Sequence, residues 1–242
     1  MNLDDFQRLH GLEFRDPALL EQAMTHRSYL NEQDDPDLSD NERLEFLGDA
    51  VLDFVITRVL FARFPDMPEG ELTRLRAALV RTDTLAEVAA VLRIGEVLRL
   101  GRGEELTGGR QRRNILCDAF EALLGALYLD QGLEAAAAFI VPRLMPMVDY
   151  ILAEGLHIDA RSKLQEWSQA VHAQTPIYVV IDEEGPDHEK EFTVEVVIGD
   201  QVIGQGQGRS KQLAAQAAAR NVLKKLEAGE IPELMPSPAG DL

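Results

Sequence analysis

An all-α domain followed by an α+β domain of order α-β-β-β-α is the architecture that this sequence predicts. Three observations carry that reading. Apolar residues recur at helical spacing almost without interruption from residue 3 to about residue 153. The pattern then changes to alternation, with Phe192, Val194, Val196 and Ile198 on one face of a strand. A hydrophobic content of 45% over 242 residues is enough for two ordinary cores.

In order, "DPALLEQAMTHRSYL" reads as one helix with a proline early in it. The acid-rich loop "NEQDDPDLSD" leads into "NERLEFLGDAVLDF", a helix that Ser39 and Glu42 would open as a capping box. "EGELTRLRAALVRTDTLAEVAAVLRI" gives two further helical segments, and "GRGEELTGGRQRR" reads as a loop. "NILCDAFEALLGALYLD" is a strongly apolar helix, and "LEAAAAFIVPRLMPMVDYILA" closes the helical half. After the joint "EGLHID" come a helix, "ARSKLQEWSQAVHA", and three strands, "PIYVVIDEEG", "KEFTVEVVIG" and "QVIGQGQG". A last helix, "SKQLAAQAAARNVLKKLE", is opened by Ser210. These elements predict domains at 1–154 and 159–228, with residues 229–242, which hold Pro232, Pro236 and Pro238, as a disordered tail.

No run of 18 apolar residues occurs, so no membrane span is expected. The N-terminus lacks the basic and apolar stretches of a signal peptide. The single cysteine, Cys117, cannot close an internal disulfide, and a reducing cytoplasm is the simplest setting for it. The net charge of −18 argues at first sight against a polyanionic partner, but it is unevenly spread. Residues 205–226 carry five basic side chains and no acid. Because salt limits the reach of distant charges to about 10 Å, such a segment can bind phosphate within an acidic molecule.

Two apolar helices carry acids in an unusual way. Glu42, Glu45 and Asp49 share one stripe of the first, and like charges at that spacing repel. On the helix from Asn114 to Leu129, Asp118 and Glu121 share a stripe with Gly125, which would let another helix come close. If the stripes face each other, Glu45, Asp49, Asp118 and Glu121 converge, and only protons or cations could then neutralise them. Oxygen ligands without His or Cys suit Mg²⁺ or Mn²⁺, and such a site suits phosphodiester hydrolysis. A solvated acidic face is the plainer alternative, and spacing alone leaves the two about even. Asp53 and the "DDPDLSD" acids read as surface charges, the five histidines show no ligand spacing, and Cys117 reads as a small buried side chain.

"NERLEFLGDAVL" resembles the signature segment of the ribonuclease III family of double-strand-specific endoribonucleases. "MTHRSYLNE" before it and "GGRQRRNILCDAFEALLGALYLD" after it resemble that family's flanking motifs in the same order. The second domain is similar to a double-stranded-RNA-binding domain, most clearly in "GPDHEKEFTVEV" and "GQGRSKQLAAQAAA". The resemblance covers about residues 5 to 227 and is of the simple bacterial type.

What the resemblance implies can be placed residue by residue. Glu45, Asp49, Asp118 and Glu121 match the catalytic, metal-binding acids, Glu121 being the one whose loss most directly removes Mg²⁺ binding and catalysis. Glu42 and Glu69 match supporting acids, and Phe46 matches an aromatic that inserts into the partner subunit of a homodimer. Ser162, Gln165, Glu166, His188, Arg209, Ser210 and Lys211 match positions that contact duplex RNA. The pattern fails at Gln212, where a second lysine is usual, which implies heavier reliance on RNA contacts of the first domain. Lys224 and Lys225 lie away from Lys211 and suit the C-terminal dipole of that helix. The implied activity is Mg²⁺-dependent cleavage of double-stranded RNA in rRNA and other RNA processing, with Mn²⁺ as a substitute. Its products would carry 5′-phosphates, 3′-hydroxyls and two-nucleotide 3′ overhangs. Two competing readings are a duplex-binding protein on a decayed nuclease scaffold and an acidic metal-storage bundle. The full set of acids counts against the first, and the second domain counts against the other.

Overall fold

The computed structural model describes residues 1–33, 38–153, 159–185 and 190–230, and the chain divides into two compact units between His157 and Ile158. The predicted 34–37 portion of the acidic loop, residues 154–158 of the joint, His188 and all but the start of the expected tail lie outside the described residues. Among the described residues the first unit is built from helices α1 (Leu3–His10), α2 (Pro17–Ala23), α3 (Arg27–Leu30), α4 (Glu42–Arg63), α5 (Glu69–Val80), α6 (Thr82–Val91), α7 (Arg102–Leu106), α8 (Arg113–Gln131), α9 (Leu133–Leu144) and α10 (Pro146–Ala153). The second has α11 (Ala160–His172), strands β1 (Ile177–Glu184), β2 (Glu191–Ile198) and β3 (Gln201–Gly208), and α12 (Lys211–Glu227). The strands form one antiparallel sheet in chain order. Helical bundle followed by α-β-β-β-α is therefore the fold.

At the centre of the first unit α8 is sheathed by other helices, with Ile115, Leu116, Ala119, Phe120 and every residue from Ala122 to Leu127 buried. Its closest neighbour is α4, and two glycines set how close. A Cβ on Gly48 would stand 1.7 Å from the Glu121 carbonyl oxygen, and one on Gly125 would stand 2.2 Å from that of Leu44. Backbone therefore meets backbone at this crossing, closer than the 8–10 Å usual between helix axes allows when side chains intervene.

Three local expectations are corrected. The segment from Asp16 to Leu30 is two helices rather than one. Between them Met24 O accepts from Arg99 N and His26 N donates to Arg99 O, so pairing to a distant segment replaces helical bonds, and His26 caps α3. The capping box of Ser39 and Glu42 does not form, since the N-cap is Asn41 and its side chain makes no capping bond. Asn41 is buried, donating instead to the carbonyls of Ala23 and Thr25, and Asp40 accepts from Glu42 N. The Gly- and Arg-rich loop contains α7, held by Ser28 accepting from Gly101 N and Glu32 accepting from Arg102 N. Among the described residues no single helix is long and apolar enough to cross a membrane.

In the second unit the same device recurs. Gly204, Gly206 and Gly208 of β3 lie under α12, where added Cβ atoms would meet Val222 Cγ2 at 2.3 Å, Ala218 N at 2.1 Å and Ala214 N at 2.7 Å. Glycine on the strand and alanine on the helix thus bring α12 directly onto the sheet. Gln216 joins the helices, accepting from Ala160 N and donating to Asp159, the N-cap of α11.

Gly125→Ala should destabilise the first unit by about 3 kcal/mol, because the methyl group would overlap carbonyl oxygen that a packed helix cannot withdraw. Calorimetry should show its transition roughly 6–12 °C lower. An unchanged transition would mean that α4 and α8 are not in contact there.

Candidate active site and nucleic-acid interface

The glycine crossing brings the acids of the two helices together. Glu45 and Asp49 bracket Gly48, while Asp118 and Glu121 lie within the two turns before Gly125. Each helix feels the other's charge. Burial, followed by the charges of Asp49, Glu45 and Asp118, pushes the Glu121 carboxyl up to about 8. Burial and the charges of Asp118, Glu42 and Asp49 raise Glu45, and burial with the neighbouring Asp53 raises Asp49. Asp118 is raised by burial and held back by His26.

Among the described residues no Lys, Arg or His nitrogen lies within 4.0 Å of these four carboxylates, although other acids nearby are paired. The cluster therefore relieves its repulsion by holding protons or by holding a cation. The donors suit a hard divalent cation: the half-buried carboxylates of Glu45, Asp118 and Glu121, with the exposed Asp49 beside them, on a closely packed helix pair. Ligand atoms of Cys117, Asp118 and Glu121 lie within 4.8 Å of one another. The Cys117 thiol, however, is buried, with its pKa pushed up to about 12, and stays neutral beside Glu121.

The supporting acids are separated from one another. Glu42 stands one turn from Glu45 and pairs with Arg27 at 3.1 Å. Glu69 is not part of the cluster. It accepts from Thr73 at the start of α5 and lines a groove of about 320 Å³ with Thr57, Leu60, Phe61, Leu72 and Arg76. Asp53, read as a surface charge, pairs with Arg76. Phe46 is 81% exposed, and Phe61 on the same helix is 72% exposed.

In the second unit Gln165 and Glu166 project from α11 into solvent, while the Ser162 hydroxyl donates to Asp159. Ser210 caps α12 by accepting from Leu213 N, with exposed Arg209 and Lys211 beside it, so free N–H groups and two cations share one helix start. Gln212 is exposed next to them, and Lys224 and Lys225 lie in the last turn.

Two residues of the site escaped the sequence reading. His26 acts on Asp118 from a segment far away in the chain, and its only sequence signal was membership of the "MTHRSYLNE" stretch. Asn41, adjacent to the first acid stripe, anchors the start of α4 from a buried position. An asparagine opening a polar stretch gives no sign of that.

Comparison with known proteins gives the family of each domain. Residues 16–148 match the family model described as Ribonuclease-III-like, and residues 160–226 match the double-stranded RNA binding motif. The Ribonuclease 3 of Roseiflexus sp. (strain RS-1) is 48% identical over 230 residues, covering 94% of this chain and 97% of that protein. The Ribonuclease 3 of Enterococcus faecalis is 47% identical over 222 residues, covering 92% and 96%. Two structures of the nuclease domain of ribonuclease III from Campylobacter jejuni, one concerned with flexibility in a region involved in dimer formation, superpose with TM-scores of 0.54 at 38% identity. They cover 60% of this chain and 94% and 99% of theirs. With a helical nuclease domain and a duplex-RNA-binding domain matched over nearly its whole length, this chain belongs to the ribonuclease III family of double-stranded-RNA-specific endoribonucleases.

Proposed function

We propose that this endoribonuclease depends on Mg²⁺, for which Mn²⁺ can substitute, and that Glu45, Asp49, Asp118 and Glu121 hold the cation as the catalytic acids. The observation that carries the reading is the mutual elevation of Glu45 and Glu121 across α4 and α8, with no cationic nitrogen among the described residues within 4.0 Å of the four acids and only the more distant His26 acting on Asp118. A bound divalent cation supplies activation of water at neutral pH and stabilisation of the leaving oxygen. The chain supplies the rest. Glu121 keeps a proton at neutral pH and would give it up to a bound cation, so the carboxylates would reach full charge only with a counter-ion in place. The backbone crossing holds the four acids on rigid elements, and His26 keeps Asp118 from rising as far as burial alone would take it.

The exposed Phe46 supports a homodimer, as does the Campylobacter jejuni nuclease domain, which has a flexible region involved in dimer formation. Thr57 of the Glu69 groove is twelve residues along α4 from Glu45, roughly 18 Å, so a supporting role for Glu69 would be exercised on the site of a second copy. In the domain at 159–228, Gln165 and Glu166 would bond 2′-hydroxyls in the shallow minor groove, with Ser162 beside them. Arg209, Ser210 and Lys211 would take phosphate, and His188 would reach the next minor groove. Products with 5′-phosphates, 3′-hydroxyls and two-nucleotide 3′ overhangs, a role in rRNA and other RNA processing, and a cytoplasmic location complete the proposal. It treats 1–154 as the nuclease domain and leaves 229–242 as a tail.

Glu121→Gln should keep duplex binding and lose cleavage at saturating Mg²⁺, read on a labelled perfect duplex; substantial residual cutting would remove Glu121 from the reaction. A pH effect follows as well. Glu121 has its pKa raised from 4.5 to about 8 in the fold, so its contribution to stability is complete below about 4.5 and lost as pH rises through about 8. In chelator, thermal midpoints should therefore fall over that window, and the fall should flatten in Glu121→Gln and in millimolar Mg²⁺. A midpoint profile identical in both proteins would contradict the assignment. Light scattering on Phe46→Glu should report monomers, and persistent dimers would refute the role of Phe46.

A further inference from the structure

The lysine at the start of α12 is already engaged. Lys211 Nζ lies 2.7 Å from one carboxylate oxygen of Glu183, and Lys190 Nζ lies 3.2 Å from the other. Both ammonium groups also stand over the Phe192 ring, 5.5 Å and 5.9 Å from its centre. The two lysines hold the Glu183 carboxyl below the usual carboxylate range, so it is ionised at neutral pH.

Glu183 reaches this position through an irregularity in the sheet. Val180 pairs with Val194, but the next pairs are Asp182 with Thr193 and Glu183 with Phe192, leaving Ile181 as an extra residue. In a regular ladder Asp182 would stand opposite Phe192 and Glu183 would point to the other face of the sheet. One inserted residue reverses the facing of everything after it. The bulge thus turns Glu183 onto the same side as Phe192 and the two lysines.

We propose that Glu183 is a built-in competitor for the RNA phosphate at Lys211, so that duplex binding exchanges a carboxylate for a phosphate on one ammonium group. This rests on the reading of Lys211 as an RNA contact. Competition outweighs preorganisation for two reasons. The Phe192 ring already gives both lysines a surface to rest on, so their placement does not need the carboxylate. And an RNA phosphate on Lys211 would stand well within a Debye length of Glu183, where screening is incomplete. The consequence is a second domain whose grip on duplex is set below what its cations would give. Gln212, standing beside Lys211 without charge, acts in the same direction.

The test is fluorescence anisotropy of a labelled RNA duplex with the full chain in divalent-free buffer, comparing the unaltered protein, Glu183→Gln, Lys211→Ala and the double variant. Glu183→Gln should bind about two- to fivefold more tightly, the range an exposed ion pair can supply. Lys211→Ala should bind more weakly with a salt slope shallower by about one. In the double variant most of the gain from Glu183→Gln should vanish. Binding by Glu183→Gln that is unchanged or weaker, while Lys211→Ala still weakens it, would overturn the competition and leave the RNA face intact. A gain that survives whole in the double variant would overturn it too, since it would reflect net charge alone. If Lys211→Ala has no effect, the RNA contact itself fails, and the inference fails with it.

Discussion

Contact between the backbones of α4 and α8 at Gly48 and Gly125 is the constraint on which the first domain rests. A side chain at either position would force the helices apart, since the space is filled by the carbonyl oxygens of Glu121 and Leu44. The acids sit within two turns of that crossing on both helices. Wider separation would move Glu45 and Asp49 away from Asp118 and Glu121 and let water dilute their interaction. The same glycines that permit dense packing therefore generate the electrostatic conflict.

That conflict is stored by the core. Buried Leu44, Leu52, Phe120 and Leu124 hold the helices in place while the carboxyl groups between them repel. Hydrophobic burial is favourable enough to hold a few unfavourable charges in position, and active sites commonly draw on that surplus. A cluster that cannot be comfortable when empty is one that binds a cation readily. On the proposed reading, the elevation of Glu121 and the divalent-metal chemistry of the ribonuclease III family are two aspects of one arrangement.

The second domain solves its packing with small residues as well, and leaves Gln165, Glu166, Arg209 and Lys211 on the outside. Glycines of β3 receive alanines of α12, and Ala160 and Leu164 of α11 share one core with those alanines and with Val194 and Val196 of the sheet. The N-terminus of α12 and the outer side of α11 remain exposed. In a chain of net charge −18, local cations and a helix dipole define this surface. Even here an acid intervenes, since Glu183 sits between Lys190 and Lys211.

Much of this was written in local pattern. Helical and alternating periodicity predicted the two architectures, Ser210 announced the start of α12, and the acid stripes and Gly125 were visible as neighbours on one face. What remained hidden depended on partners distant in the chain. The break at Met24 to His26 follows from pairing with Arg99, and Asn41 displaced the expected capping box because its side chain was drawn into the core. α7 forms within an apparent loop because Ser28 and Glu32 hold its first turn. Likewise Glu69 was separated from the other acids, His26 was brought to Asp118, and one extra residue in β1 turned Glu183 toward the lysines. Sequence alone determined which face of each element is apolar, because periodicity is a property of a single segment. Which faces meet, and which charges then have to share a space, was decided only by the tertiary structure, because burial and Coulomb energy depend on groups that the chain brings together from far apart.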